Sequence, residues 1–440
     1  MVSMDIVNIY ENYNNYFEAD FKSIFEICSK SALKNGYKLY LIVGIVRDLL
    51  LARENFDIDI TVEGDAIEFC KILENEGVAK ILSIHPDFGT AKIEIQGKKI
   101  DFASTRSETY PRKGHLPIVE KIGCSLELDV IRRDFTINSL ALSLNQDTFA
   151  DLMDYVGGLH DLKSKKIRIL HEKSFVDDPT RIIRGLKFSI RLGFELEENT
   201  LKLQEEYLNN INYDMSYKRV KNELKETFEL NSQDAFEKFV DEKIYKLITQ
   251  RDIQKSTQNI ENLIKTYKPK HSWIVYLGTI GVLEEDDFSD KLGLTKVEKK
   301  IIIGAKTLLN SEISEDDFEI YKTFTACDTE SLLILVLFKN DIELYSKQGI
   351  SDAVGLENLT YFTNHGNALN VSPSDKKVFR YLDILRKIKI SITGQDLLEL
   401  GIEPSKSFGE IFDYVLKQKL QNPRIGKAEE IALIKAFYCN

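Results

Sequence analysis

Several things that would fix the class of this 440-residue chain at once are scarce in it. The five cysteines, Cys28, Cys70, Cys124, Cys327 and Cys439, are scattered, odd in number and never in Cys-x-x-Cys spacing. That pattern excludes a disulfide framework and gives no zinc site, so reduced, buried thiols are expected. No run approaches the roughly 20 apolar residues that cross a bilayer. The opening MVSMDIVNIYENYNNYFEAD is too acidic and polar for a secretory signal, so no membrane and a cytoplasmic location are expected. Histidine is sparse: His85, His115, His171, His271 and His365 are scattered, and the pair His160-Asp161 lacks the second histidine cluster that a metal-dependent phosphohydrolase needs. Heptad runs, short repeats and low-complexity linkers are also missing. A net charge of −11 argues against a protein that coats nucleic acid non-specifically. Local basic clusters remain at Lys163–Arg168, Lys218-Arg219 and Arg386–Lys389, each of which also suits a solvated face.

What is present is a chain 43% hydrophobic and 29% charged, too long for one ordinary core, for which about two to four domains is the natural expectation. Apolar positions at helical spacing (Ile6, Ile9, Tyr10, Tyr13, then Phe21, Ile24, Phe25, Cys28) predict one or two N-terminal helices. KLYLIV, DIDITVE, AKILSI, TAKIEI, KKIDFAS and INSLALSL read as strands, with a helix over 65–76 between the second and third. Residues 151–170 look like a small hairpin turning at Gly157-Gly158. Beyond about Phe175 helical patterns dominate, with prolines at their boundaries. The fold class is therefore α+β, a mixed β-sheet domain followed by an all-helical body.

Within the strand DIDITVE, Asp57 and Asp59 alternate with Ile58 and Ile60 and so face one way. Two adjacent carboxylates repel, and a cation relieves this; oxygen-only ligands of this kind suit Mg²⁺ with substrate phosphates. A solvated pair at a strand end is the plainer reading. Just upstream, Gly44 lets the backbone approach an anion, and Arg47 is suited to a phosphate. A hairpin at Gln96-Gly97 would lay Asp101 beside other strands of the sheet, as a third carboxylate or as a lone strand-end aspartate. Arg132-Arg133 ahead of Asn138 reads either as a solvated pair or as guanidinium forks for a nucleotide. In DDPTRIIRGLK, Pro179 marks a helix start, and Asp178, Arg181, Arg184 and Lys187 follow at intervals of three along one face. Ordinary capping and salt bridges would account for that spacing. There is also a chemical reading: cytosine and adenine both present an amino donor beside a ring-nitrogen acceptor, which a carboxylate next to a guanidinium matches, whereas uracil and guanine present the opposite pattern.

Taken in order, VGIVRD with DID, RRDFTINSL and DDPTRIIR resemble the class II tRNA nucleotidyltransferase (CCA-adding) and bacterial poly(A) polymerase family across residues 39 to 191. Arg219-Val220 with Glu223-Leu224 resembles the continuation of that family's neck helix, and ITGQDLLELGIEPSKSFGEIFDYVLKQKL the tail of its bacterial CCA-adding members. The resemblance implies a nucleotidyltransferase head over 1–150, a neck that recognises the base over 151–230, a helical body over 231–350 and a helical, tRNA-binding tail over 351–440. It implies that Asp57 and Asp59 bind Mg²⁺, that Asp101 is the third catalytic carboxylate, and that Gly44 and Arg47 hold the triphosphate with Arg133 close by. Asp178 and Arg181 would read the base, with Arg184 and Lys187 supporting the nucleotide, and Glu108–Val119 looks like the family's flexible loop. The implied activity is template-independent addition of C and A to the 3′ end of tRNA from CTP and ATP. A-only addition, poly(A) polymerisation and, in another class, a non-catalytic RNA-binding protein are the alternatives. Residues 81–94 lack the Gly-Arg-Arg-Phe stretch of poly(A) polymerases. Two departures stand out: Val43 occupies the first place of the family's Gly-Gly pair, and Lys187 stands where many members have arginine. Oligomeric state is not legible in the sequence.

Overall fold

The computed structural model describes residues 5–55, 57–211, 213–253, 255, 259–285, 287–346, 373–404 and 407–438. Two compact units emerge: Met1–Thr227 with Asp241–Leu247, and Phe228–Val240 with Ile248–Asn440.

The first unit is built on an eight-stranded mixed sheet. Its strands are β1 (Asp5–Asn8), β2 (Lys38–Ile42), β3 (Asp59–Glu63), β4 (Lys80–His85), β5 (Thr90–Ile95) and β6 (Lys98–Ser104), then β9 (Ala141–Ser143) and β10 (Asp151–Asp154). Between these last two pairs of segments, β7 (Arg106–Thr109) and β8 (Ile118–Ile122) form a separate hairpin. The sheet order is β1-β10-β9-β2-β3-β6-β5-β4. The β3–β6 pair is parallel, while β6 pairs with β5 through the predicted turn at Gln96-Gly97, antiparallel.

Each segment read as a strand contains one. INSLALSL opens with a 3₁₀ turn at Thr136–Asn138 before β9. The helix expected over 65–76 runs Ala66–Asn75. Asp65 starts it by accepting the N–H groups of Ile67 and Glu68, satisfying orphan donors of the first turn. Its buried face, Ala66, Phe69, Cys70 and Leu73, lies on the sheet, with the Phe69 ring 6.0 Å from Phe102 and 5.2 Å from Tyr37. Replacing a buried ring such as Phe69 by alanine costs about 3–5 kcal/mol.

Two local expectations change. Ile6 belongs to β1 rather than to the first helix, which spans Tyr10–Tyr16 and is followed by a second, Ala19–Asn35. Residues 5–8 instead pair antiparallel with β10, Asp5 opposite Asp154 through Asn8 opposite Asp151, and form one edge of the sheet. The 151–170 segment is not a hairpin. It is β10, at the heart of one side of the sheet, followed by a helix at Gly158–Lys163. The Asp154 carboxylate gathers the N–H groups of Val156, Gly157, Gly158 and Leu159 at 2.8–3.1 Å, and this nest replaces the anticipated turn.

The second unit is helical in its described residues. Trp273 and Tyr276 are fully buried, and Tyr276 stacks 5.2 Å from Phe228 and 5.8 Å from Phe236. Near its end, Ile392, Leu397, Ile402, Ile411, Val415 and Ile434 form a separate apolar cluster. Lys419 and Glu430 form a buried ion pair beside it, and Glu430 also accepts the N–H groups of Ser391 and Ile392. Cys28, Cys70 and Cys124 are buried free thiols and Cys327 is partly exposed; Cys439 lies outside the described residues. No helix among the described residues is long and apolar enough to cross a membrane.

Candidate active site

The site is set by sheet register. Asp59 on β3 lies directly opposite Asp101 on β6, and Asp101 lies directly opposite Lys92 on β5. Side chains at directly paired positions share a face, so carboxylate, carboxylate and ammonium form a row across three strands. Lys92 Nζ is 2.9 Å from Asp101 Oδ2. Asp57 precedes β3 by two residues, and it and Asp59 are accessible while Ile58 between them is buried.

Asp59 is exposed, yet the protein around it partly desolvates its carboxylate. That desolvation, then repulsion from Asp101 and more weakly from Asp57, pushes its pKa up to about 6 against the pull of Arg133 and Lys92. A carboxylate disfavoured in its charged form beside two others is suited to a cation. No group of three metal-ligating side chains is assembled among the described residues. The donor set itself, two to three carboxylates and no sulfur or imidazole, fits a hard divalent ion.

The strand β2 ends in a helix, Gly44–Leu50, whose cap is Val43. Val43 has φ = 65°, in the left-handed region that favours glycine and is costly for a β-branched residue. Its side chain packs against the cluster of Tyr40, Ile42, Leu126, Val130, Ala141 and Met153. The chain thus keeps a glycine's backbone where valine stands, with apolar packing offsetting part of the strain. A Cβ on Gly44 would come within 3.3 Å of Asn55 Nδ2, so this turn has little room for a side chain.

Arg47 is only 3% exposed. It donates to Asp48 at 3.0 and 3.1 Å and to Asn138 Oδ1 at 2.7 Å, with its guanidinium 5.2 Å from the Phe188 ring centre. A direct phosphate contact is therefore not what its surroundings offer; it braces the helix against the 3₁₀ turn. Asn55 extends this brace, donating to Asp48 at 2.7 Å and accepting the Asp57 N–H at 2.9 Å.

Arg133 is held by Asp129, a fully buried carboxylate in the helix Leu126–Ile131. Asp129 also takes two bonds from Arg132 and one from the Arg106 N–H. Although burial desolvates Asp129, Arg133 and Arg132 hold its carboxyl below the ordinary range, so it stays ionised. Arg133 Nε is buried without a partner, a donor left for an anion.

The DDPTR segment begins the helix Thr180–Leu192, with Pro179 at its cap. Asp178 and Arg181 are both buried, at 6% and 4% exposure. The Arg181 N–H donates to the Asp178 carbonyl at 3.1 Å, but their side chains are bonded to other groups. Asp178 Oδ1 accepts from the Thr180 N–H and hydroxyl, and its Oδ2 accepts from Arg219 at 2.5 Å. Arg181 donates to Ser174, to the Tyr110 hydroxyl and to the Arg132 carbonyl. Arg184 forks onto Asp134 at 2.6 and 2.9 Å and reaches Glu223 at 3.4 Å. Lys187 is 6% exposed and enclosed by Glu223 and Glu226, so it anchors a helix pair rather than facing a ligand. Desolvation notwithstanding, Arg184 keeps the fully enclosed Asp134 carboxyl low.

The segment 108–119 spans the end of β7 and the start of β8. It is tied at Gly114, whose N–H donates to the Asp177 carbonyl and whose carbonyl accepts the Ser216 N–H. Asp161 of the His-Asp pair is buried and taken up by Thr136 and Arg168, leaving no free acid for a phosphohydrolase. Sequence reading missed Lys92, Asp129, Tyr110 and the Asp178 contact of Arg219. Alternation in TAKIEI already put Lys92 on one face of its strand, but only the register of β5 on β6 brings it to Asp101.

Residues 39–168 match the poly A polymerase head domain. An A-adding tRNA nucleotidyltransferase of Aquifex aeolicus is 49% identical over 39% of this chain, a match that spans 20% of the relative's own length. The chain thus covers about a fifth of that longer protein. An A-adding tRNA nucleotidyltransferase of Halalkalibacterium halodurans is 27% identical over 98% of the chain and 96% of the relative. The Thermotoga maritima CCA-adding enzyme, solved with tRNA, shares the fold with a TM-score of 0.73 at 23% identity, over 98% of this chain and 99% of that one. A mixed-sheet head followed by helices is the architecture that this chain shares with that enzyme. Residues 39–168 thus carry the sequence pattern of that head domain, and the whole chain shares its fold with solved CCA-adding enzymes.

Proposed function

We propose that the protein is an enzyme that adds C and A to the 3′ end of tRNA from CTP and ATP without a nucleic-acid template. The observation that carries this is the register that sets Asp59 against Asp101, with Asp57 two residues before and the unpartnered Arg133 Nε nearby in the same unit. Asp57 and Asp59 would hold Mg²⁺, which when bound neutralises charge on the reacting phosphate and the leaving oxygen. Asp101 is the third carboxylate and the acceptor for the proton of the attacking 3′-hydroxyl. A bond forms from that oxygen to the α-phosphorus, the bond to the β-phosphate oxygen breaks, and pyrophosphate leaves. Arg133, fixed by Asp129, and the turn at Gly44 would hold the triphosphate. Arg47, Arg184 and Lys187 act one step back, bracing the helices that carry these groups.

Asp178 and Arg181 supply the acceptor and donor that cytosine and adenine share a match for. Both are engaged by protein partners in the free chain, so Arg219 and Tyr110 must yield when a base enters. The four-part division into head, neck, body and tail, with the tail gripping tRNA largely through phosphates and shape, belongs to the same proposal, as does a cytoplasmic location.

A second reading, addition of A alone to tRNA already ending in CC, is favoured by the names of the Aquifex and Halalkalibacterium relatives. Incubation with tRNAs ending before the first C, after one C and after CC, with CTP and ATP separately and together, decides between them. Incorporation of both C and A into the shortest tRNA is expected. Incorporation of A only into CC-ended tRNA would establish the narrower activity, and extension of none would overturn both.

A further inference from the structure

Lys92 has no part in the chemistry above, yet it stands at the end of the carboxylate row. Its strand position is fixed on one side by Asp101 and on the other by Ser83. We propose that Lys92 is a built-in counter-cation that holds Asp101 away from the metal site and competes with the divalent ion for it. The inference rests on the metal-site reading of Asp57, Asp59 and Asp101.

The geometry gives the reason. Asp101 lies between a like charge, Asp59, and an opposite one, Lys92, each at a directly paired position on a neighbouring strand. Turning to Lys92 relieves the repulsion between Asp101 and Asp59, and Asp101 Oδ2 lies 2.9 Å from Lys92 Nζ. A divalent ion at Asp57 and Asp59 reverses the balance by presenting two charges where Lys92 presents one. Asp101 then turns toward Asp59, and Lys92 is left as a free ammonium at the edge of the site. Both side chains are about half exposed (43% and 51%), so the pair is weak enough to break. A buried pair would lock the site shut. Lys92 is thus a positioning residue that sets how much divalent ion is needed to complete the set.

The test is calorimetric titration of the full chain with Mn²⁺ alone, together with thermal melting with and without Mn²⁺. The proteins are wild type, Lys92→Met, Lys92→Arg and Asp59→Asn. Lys92→Met should bind Mn²⁺ about two- to tenfold more tightly. Its metal-free form should melt below wild type, and Mn²⁺ should raise its melting temperature by more. Lys92→Arg, which keeps the charge, should bind Mn²⁺ within about twofold of wild type. Binding by Lys92→Met that is unchanged or weaker overturns the role given to Lys92. Absence of wild-type Mn²⁺ binding that is sensitive to Asp59→Asn would instead remove the metal site on which the role rests.

Discussion

Asp59 is the residue whose protonation should be measurable first. In the metal-free protein it keeps its proton up to pH about 6, whereas an unfolded chain releases it near the ordinary value of 3.8. A raised carboxylate pKa means that the folded form binds more protons between those values, so metal-free stability falls as pH rises from about 4 to about 6 and levels above. A divalent ion has to displace that proton, so Mn²⁺ affinity should drop by up to about tenfold per pH unit below 6 and be flat above about pH 7. Calorimetry at pH 5, 6 and 7.5 checks this; an affinity independent of pH across that range would contradict it. Val43 is the second informative residue. Glycine there relieves about 1–3 kcal/mol of backbone strain but loses a packed side chain and gains unfolded-state freedom of similar size. Val43→Gly should therefore leave the unfolding free energy within about 1 kcal/mol of wild type and lower the KM for nucleotide, as read by denaturant titration and initial rates. The sequence announced the departure at Val43, since a family pattern exposes a missing glycine. It did not announce that the backbone would adopt the glycine's conformation regardless.

Among the elements, the strands were legible because β-rich runs alternate and end in polar or glycine turns. The Asp57/Asp59 pair could be read because Ile58 and Ile60 interleave with it. Two features were not legible, for one physical reason: they depend on distant backbone. Residues 151–154 read as half of a local hairpin, but their partners are Ala141–Leu142 on one side and Asp5–Asn8 on the other. On sequence alone Arg47 and Lys187 are expected at the nucleotide, and their own helices cannot reveal that Asn138, or Glu223 and Glu226, lie against them. The helix at Gly158 gives a sharp test at this scale. A Cβ on Gly158 would lie 2.3 Å from the Thr136 carbonyl oxygen, so backbone must shift. Gly158→Ala should cost about 1–3 kcal/mol, seen as a lower midpoint in urea; unchanged stability would mean that this contact is looser than described. The helix Leu126–Ile131 gives another. Asp129→Asn keeps shape but removes the charge partner of Arg133 and leaves Arg132 with Glu108 alone, and it should raise the KM for nucleotide about tenfold or more. Circular dichroism and initial rates at varied ATP separate this from simple unfolding.

At the scale of the whole molecule, the proposed function puts catalysis and base choice in the first compact unit, 1–227 with 241–247, and leaves the helical second unit for the bulk of a tRNA. A net charge of −11 suits that proposal, because a chain so charged would select an RNA by local contacts and shape rather than by general attraction. The most direct measurement is extension of CC-ended tRNA with ATP and Mg²⁺, comparing wild type with Asp59→Asn and Asp101→Asn, each verified as folded. Wild type should add one A with release of pyrophosphate, and either substitution should cut the rate by about a hundred- to a thousandfold or more. Extension by both variants within about threefold of wild type would contradict the assignment of nucleotidyl transfer to the carboxylate row.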